Sequence, residues 1–362
     1  MKNGKTLSEL GRELARQRDM RQDFIADTRS LSLQTSENGS FLTVDFGGNT
    51  LSSFGVNELA HQQIASRLQI PYRYYQRLRK EQPALLDENV NAWLRYTPER
   101  RMLRVLDGNV RAFLSGRYRR LDHLELCDAI LPLLREMKGA SIVSCDVTET
   151  MLYLKVINKK LTAEVDVGDA LLAGMVISNS EVGLGALKVE PLVFRLCCKN
   201  GLIVKDMAQK RYHVGKQVEG EDAAYEIYSD ETLAADDKAF FLKVQDTVRC
   251  AVDEAKFLLT VDQLKRAKQE TFGPDPVKTV EVLADRYLLN QSERGSVLRH
   301  FIMAGDNSRY GLLNAVTRAS QDVSDYQRAT ELERLGGEIL VATKPLPALV
   351  PLRRPEREML AL

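Results

Sequence analysis

The chain has 362 residues, 44% of them apolar, with 51 Lys and Arg against 50 Asp and Glu for a formal net charge of +1; that is enough for two or three domains with real cores, and it excludes a disordered polyelectrolyte. Its longest apolar runs, 129–134 and 170–175, fall far short of the ~18–20 residues of a membrane span, and the N-terminal lysines precede no apolar run with a small-residue cleavage site. Five cysteines, an odd number without CxxC spacing, argue against a disulfide framework or a zinc site, so a cytoplasmic protein without a cofactor is expected.

In chain order, Thr6-Leu7-Ser8-Glu9 reads as a capping box opening a helix to about residue 21. Leu31 and Leu33, then Leu42, Val44 and Phe46, alternate with polar residues about Asn38-Gly39 and predict a β-hairpin. Asn57 caps a helix to about residue 68, Pro71 starts another through Lys80, and a third follows over 85–96 with Leu86, Val90, Trp93 and Leu94 on one face. Strands at 102–106 and 110–114 flank the hairpin turn Asp107-Gly108. A helix over 121–138 with Pro132 as a kink precedes strands at 141–147, 151–157 and 173–180. A long strand, 187–198, is expected to turn at Asn200-Gly201 into 202–205, which places Cys197 and Cys198 on opposite strand faces. Phe241, Val244, Val248, Val252, Ala255 and Leu258 form one stripe and predict a single long amphipathic helix. Helices at 277–289, 292–303, 310–320 and 325–335 follow, the last stopped by Gly336-Gly337, and four prolines after 343 mark a flexible tail. The fold class expected is α+β, a curved antiparallel meander packed on helices and followed by a helical C-terminal region.

The charge is segregated. Residues 67–120 hold thirteen Lys and Arg against five Asp and Glu, interleaved with Tyr72, Tyr74, Tyr75, Trp93, Tyr96 and Tyr118. Guanidinium groups among aromatic rings suit phosphate backbones and stacked bases, whereas a solvated helical face would carry the same composition without a ligand. With a two-residue loop, Arg104 is expected directly opposite Arg111, a like-charge pair easiest to explain by an anion between them; removing the pair would then leave stability unchanged or raised. A loop one residue later would make them two separate solvated arginines. A second block, 219–262, has twelve acidic residues and four basic ones, suited to an interface between subunits or to an ordinary solvated face.

Catalytic patterns are few. His61, His123, His213 and His300 are far apart and none stands at metal-ligand spacing. Neither a phosphate-binding loop nor a serine nucleophile elbow is present, so the chain is read as no enzyme, with no catalytic residue and no metal site. Residues 57–80 also fit a helix-turn-helix with 72–80 as recognition helix, although Gln69 and Ile70 occupy the turn where glycine is common.

Three stretches resemble one family: 176–183 (VISNSEVG), 194–201 (FRLCCKNG), and 310–317 (YGLLNAVT) with 327–337 (QRATELERLGG). They are similar to the phage- and plasmid-borne domain of unknown function known as the phage/plasmid-like protein family, over about residues 40–340. Where many relatives carry tryptophan before the Gly-Leu-Asn-Ala-Val-Thr core, this chain has Arg309-Tyr310. That resemblance implies a mobile-element context and no particular activity. At fold level the pattern also resembles, more distantly, single-strand annealing proteins of the Red-beta and Erf types, which implies strand holding without bond making in rings or filaments.

The division expected is 1–56 for an N-terminal helix and hairpin, 57–228 for an α+β core, 229–342 for a helical region and 343–362 for the tail. The leading expectation is a homo-oligomeric protein that binds single-stranded DNA and promotes annealing in recombination. Arg73, Arg77, Arg79, Lys80, Arg100, Arg104, Arg111, Arg117, Arg119 and Arg120 would hold phosphates, and Tyr72, Tyr75 and Tyr118 would stack on bases. The rivals are a non-catalytic protein-interaction factor, structural or blocking a host defence, and a double-strand DNA regulator using the helix-turn-helix.

Overall fold

The computed structural model describes residues 1–48, 50–116, 118, 120–204 and 230–342, with the backbone alone at 230–234, 236 and 237. The elements are α1 (Leu7–Met20), β1 (Arg21–Asp27), β2 (Leu31–Ser36), β3 (Gly39–Asp45), β4 (Leu51–Val56), α2 (Glu58–Arg67), α3 (Tyr72–Glu81), α4 (Pro83–Tyr96), β5 (Arg100–Leu106), β6 (Asn109–Ser115), α5 (His123–Glu136), β7 (Ala140–Val147), β8 (Leu152–Glu164), β9 (Ala170–Asn179), β10 (Lys188–Arg195), β11 (Asn200–Ile203), α6 (Asp230–Cys250), α7 (Glu254–Gln269), α8 (Pro276–Tyr287), α9 (Gln291–Ala304), α10 (Arg309–Ala319) and α11 (Tyr326–Val341).

Two sheets organise the chain. The first runs β1-β5-β6-β4-β3-β2, so strands from residues 21–56 and 100–115 share one sheet; β4 and β6 are parallel and the other neighbours antiparallel. One of its faces packs on α2, α3 and α4 around Leu33, Leu42, Val44, Leu103, Val105, Val110 and Phe113. The second sheet is an antiparallel meander, β7 to β11 in sequence order, and the α+β class with a curled sheet and a helical C-terminal region is the fold found. Register shifts in β7–β8 and β8–β9 mark irregularities of the kind that bend strands. Alternation divides its side chains: Leu152, Leu154, Val156, Met175 and Ile177 pack with α1, α5 and α6. Tyr153, Ile157, Leu172 and Val176 turn instead to the side of α11.

Several expectations are corrected. The Leu196–Lys199 segment is a turn, with Lys199 at φ +52°, so the strand stops at Arg195 and Cys197 and Cys198 do not alternate across a sheet. The long helix is two: Asp253 accepts from the Lys256 N–H and caps α7, sending Val244 and Val248 to one core and Phe257 and Val261 to another. β1 and β4 carry no clear alternation and were not anticipated. Residues 205–229 and 343–362, including part of the acidic block and the Pro-rich tail, lie outside the described residues.

Gly336-Gly337 does not end the last helix, because α11 continues to Val341. The pair instead admits close packing: a Cβ at Gly337 would lie 2.0 Å from the Ile203 carbonyl oxygen, and one at Gly336 would lie 2.4 Å from Thr317 Cγ2. The obstacle at Gly337 is backbone and does not rotate away. Gly337→Ala is therefore expected to lower unfolding free energy by about 2 kcal/mol or more, despite the ~1 kcal/mol alanine gains inside a helix. Gly11→Ala in α1, where nothing lies within 4 Å, should raise it by up to about 1 kcal/mol. Chemical denaturation of both variants checks the pair.

Candidate nucleic-acid interface

The basic segment divides into an outer and an inner set. In α3, Tyr75 and Leu78 are buried and anchor one side to the sheet. The opposite side presents Arg73, Arg77 and Lys80, spaced i, i+4, i+7 on one stripe, with Tyr74 beside them, all exposed. Arg77 pairs with Glu81 across one exposed turn, a contact worth little. Arg73 and Lys80 have no ion pair with a described residue. Arg79 is tied to Glu58 at 2.9 Å.

The tyrosines chosen from the sequence are engaged inward. Tyr75 is fully buried with its hydroxyl 2.8 Å from His61 Nδ1, and Tyr72 donates to Glu58. Tyr118 is half-buried and donates to the Ser180 carbonyl at 3.2 Å. The rings facing outward are others: Tyr74, Trp93 at 46% and Tyr96 at 79% exposure, the last two packed edge to face at 5.5 Å. Trp93 and Tyr96 lie on α4, whose Leu86, Val90 and Leu94 face the core, and Arg95 is exposed near them. The sequence reading that put Trp93 on one face with Leu86, Val90 and Leu94 is corrected here: those three are buried, whereas Trp93, at the border of that stripe, stays exposed, so helical spacing alone did not single it out.

α4 is fixed to the edge strand β2 by side chains. Asn91 accepts from the Leu33 N–H at 2.7 Å and donates to its carbonyl at 2.9 Å; Asp87 accepts from the Thr35 N–H and hydroxyl at 2.7 and 2.8 Å. These bonds occupy backbone groups of an edge strand and hold the helix bearing the aromatic face.

Arg100 is exposed at the start of β5, Arg120 is exposed with Asp23 Oδ2 at 3.5 Å, and Arg117 and Arg119 lie outside the described residues. Arg104 and Arg111 require correction. The two-residue loop is present, pairing Leu106 with Asn109, but a bulge between Arg104 and Val105 places Arg104 opposite Ala112. On its other side Arg104 faces Asp23 of β1. It is fully buried: Nε and Nη2 donate to Asp23 at 3.1 Å, Nη2 to Asp122 at 2.6 Å, and Nη1 to the Glu181 carbonyl at 2.9 Å. Arg111 is buried against Glu181. The anion inferred from like charges is thus supplied by this chain's own carboxylates, and neither guanidinium is open to a phosphate.

The same cluster joins the two sheets to α5. Asp122 occupies the N-cap of α5 without bonding its backbone, because its carboxylate is taken by Arg104 and Arg21; Glu181 accepts from the His123 N–H at 2.5 Å. Burial opposes ionisation of Glu181, yet the charge of a protonated His123 ring, Arg111, that N–H and Arg104 hold its carboxyl well below the usual range, at about 2. Burial lowers His123 to about 4, and does the same to His61. The stretches 176–183, 194–201, 310–317 and 327–337 supply further buried polar links. Asp169 joins Arg195 and Tyr310, Arg334 meets Glu190 at 2.6 Å, and fully buried Lys155 meets Glu333 at 2.6 Å. Among the described residues, no group of three or more His, Cys, Asp or Glu is arranged to hold a metal ion, and no helix is long and apolar enough to cross a membrane.

Arg104→Gln leaves Asp23 and Asp122 short of a buried partner and is expected to cost about 3–5 kcal/mol in chemical denaturation, the reverse of an exposed like-charge pair. His61 and His123 are harder to protonate folded than unfolded. Their contribution is present above pH 6.5 and lost as pH falls toward 4, with Glu181 adding loss from about 4.5 to 2. The urea midpoint should therefore fall below pH 6.5, and His61→Gln with His123→Gln should flatten the limb between 6.5 and 4.

No family model, curated protein or solved structure matches this chain.

Proposed function

We propose that the outer surface of α3 and α4 binds single-stranded nucleic acid, with Arg73, Arg77 and Lys80 on phosphates and Tyr74, Trp93 and Tyr96 against bases. The observation that carries this reading is the coincidence of an outward cationic stripe on α3 with exposed rings on the helix that follows it. Backbone neutralisation gives affinity, and stacking accepts any base. Arg100 and Arg120 are exposed away from this surface, Arg120 beside the Asp23 carboxylate that also binds Arg104, while Arg104 and Arg111 act inside the fold. From its cysteine usage we propose that the protein works in the cytoplasm, and from the resemblances above that it belongs to a mobile-element setting, as an oligomer that promotes annealing in recombination without nucleotide hydrolysis.

A second reading has its own observation. Between α2 and α3, Gln69 adopts φ +55° in the 68–71 connection, the left-handed conformation for which a helix-turn-helix often uses glycine, and α3 presents its cations outward. The exposed rings of α4 favour single strands over this duplex reading.

Fluorescence anisotropy with single- and double-stranded oligonucleotides over a salt series tests both. Replacing Arg73, Arg77 and Lys80 with Gln should weaken single-strand binding and reduce the log-log salt slope by about 2, at ~0.7 per phosphate contact. Trp93→Ala or Tyr96→Ala should cost about 1–3 kcal/mol if a base stacks there. Wild-type binding by the triple variant would falsify this face as the site. Preference for duplex favours the regulator, and no binding at low salt favours a protein-interaction factor. Light scattering should report assemblies above a dimer at low salt or with DNA; a monomer throughout removes the ring or filament.

A further inference from the structure

Two adjacent lysines stand outside the regular pairing of the second sheet. Asn158 of β8 lies opposite Ala173 and Thr162 opposite Leu172, so neighbours on β9 face residues four apart on β8, and Lys159, Lys160 and Leu161 form a bulge. Its backbone is tied down. The Lys159 N–H donates to the Gly139 carbonyl at 2.9 Å, and the Lys160 N–H donates to Asn158 Oδ1 at 2.9 Å. Leu161 packs against the helical core while both lysines stay exposed. A Cβ at Gly139 would lie 2.6 Å from Asn158 Oδ1 and 2.9 Å from Lys160 Cγ, so glycine there lets the turn after α5 lie directly against the bulge.

That turn brings further cations. Lys138 precedes Gly139, Arg135 lies in the last turn of α5, and both are exposed, with Glu136 the carboxylate between them. None of the four cations has an ion pair with a described residue. The negative end of the α5 dipole favours Arg135 and Lys138, but it gives no reason for two more lysines set on a fixed bulge beside them. Like charges gathered on one frame repel in the free protein and raise the local concentration of a polyanion. The segments 135–142 and 155–164 contain no aromatic residue. A strand held here is therefore held by its phosphates and not by stacking.

We propose that Arg135, Lys138, Lys159 and Lys160 form a second nucleic-acid contact, which grips a strand by its phosphates alone and leaves its bases free to pair with a strand on the α3–α4 face. This rests on the reading of that face as a single-strand site. The two surfaces differ in chemistry: one sets cations beside Tyr74, Trp93 and Tyr96, and the other has cations without rings. Rings that stack on bases take them out of pairing, so a protein that brings two strands together needs one contact that ignores the bases. Lysine suits it, as a point charge on a flexible stem that follows a backbone without fixing its geometry.

Trp93 is the only tryptophan of the chain, so its fluorescence reports occupancy of the α3–α4 face, whereas the anisotropy of a labelled oligothymidylate reports all binding. With the full chain at low salt, two oligonucleotides are expected per chain, one of which quenches Trp93. Lys138→Gln, Lys159→Gln and Lys160→Gln together should weaken the phase that leaves Trp93 unquenched at least about tenfold and lower its log-log salt slope by about 2, at ~0.7 per phosphate contact. Annealing of complementary strands should slow by a similar factor while Trp93 quenching is unchanged. Arginine at the same three positions should retain both phases, and an unchanged urea midpoint verifies folding of the variants. Wild-type phases and annealing in the Gln variant would overturn the proposal and leave the α3–α4 site standing, and a single oligonucleotide per wild-type chain would overturn it as well. An unquenched phase lost in the Gln variant, with no quenching phase at all, would keep the lysine contact and remove the α3–α4 site. A second phase seen with polyaspartate and not with oligonucleotide would assign the patch to an acidic protein and overturn the proposal.

Discussion

The junction around Arg104 is the interaction on which the arrangement of the two sheets depends. A guanidinium has five N–H donors in a rigid plane; here they reach a carboxylate on β1, the N-cap carboxylate of α5 and a carbonyl after β9. Three chain segments far apart in sequence are thereby set by one side chain. Such a cluster is expensive to desolvate, and its value lies in geometry rather than net stability: unmatched, each charge would cost several kcal/mol, so the elements are driven to the one placement that pairs them all. Arg21, Asp122, Arg111 and Glu181 extend the same logic.

That cluster also explains why a run of arginines is not one surface. The first sheet has two covered faces. Basic residues of β5 and β6 that point to the second sheet, such as Arg104 and Arg111, are matched by carboxylates drawn from residues 23, 122 and 181. Those on the outer side of α3 have solvent in front of them. Segregation of charge in the sequence records both populations, and only the sheet separates them. The outward helices are themselves held through Asp87 and Asn91, whose side chains replace a missing neighbouring strand; the aromatic face inherits its position from the sheet edge.

Much of the fold was legible because local signals agreed. Thr6 and Glu9 make the capping box, Asp107-Gly108 forms the hairpin turn with both residues at positive φ, and the meander from 140 to 203 follows its apolar runs. What was not legible lies in local irregularities that periodicity passes over and in partners distant in sequence. The bulge beside Arg104 reverses an inference drawn from two-residue periodicity, and Asp253 divides a helix whose apolar stripe continues through it. Gly336-Gly337 reads as a stop until β11 lies against it. For the surface, the mixture of cations and aromatics was visible, but which rings face outward was not: Tyr75 goes to His61 while Trp93 remains outside, a choice made by packing beneath the helices.

The pairing of β1 with β5 has a consequence in time. Arg21 is opposite Leu106, and Asp27 opposite Arg100, so β1 has no partner until the chain has grown some 85 residues past its start. At ~5–20 residues per second that is roughly 4–17 s of synthesis, much longer than the microseconds in which hairpins such as β2–β3 form. During this interval β1 is an unpaired strand on a nascent chain, with Asp23 not yet matched by Arg104. Its sequence, Arg-Gln-Asp-Phe-Ile-Ala-Asp, carries three charges in seven residues. Charge of that density discourages pairing with a neighbouring chain, so the residues that later fix the junction also guard the strand while it waits.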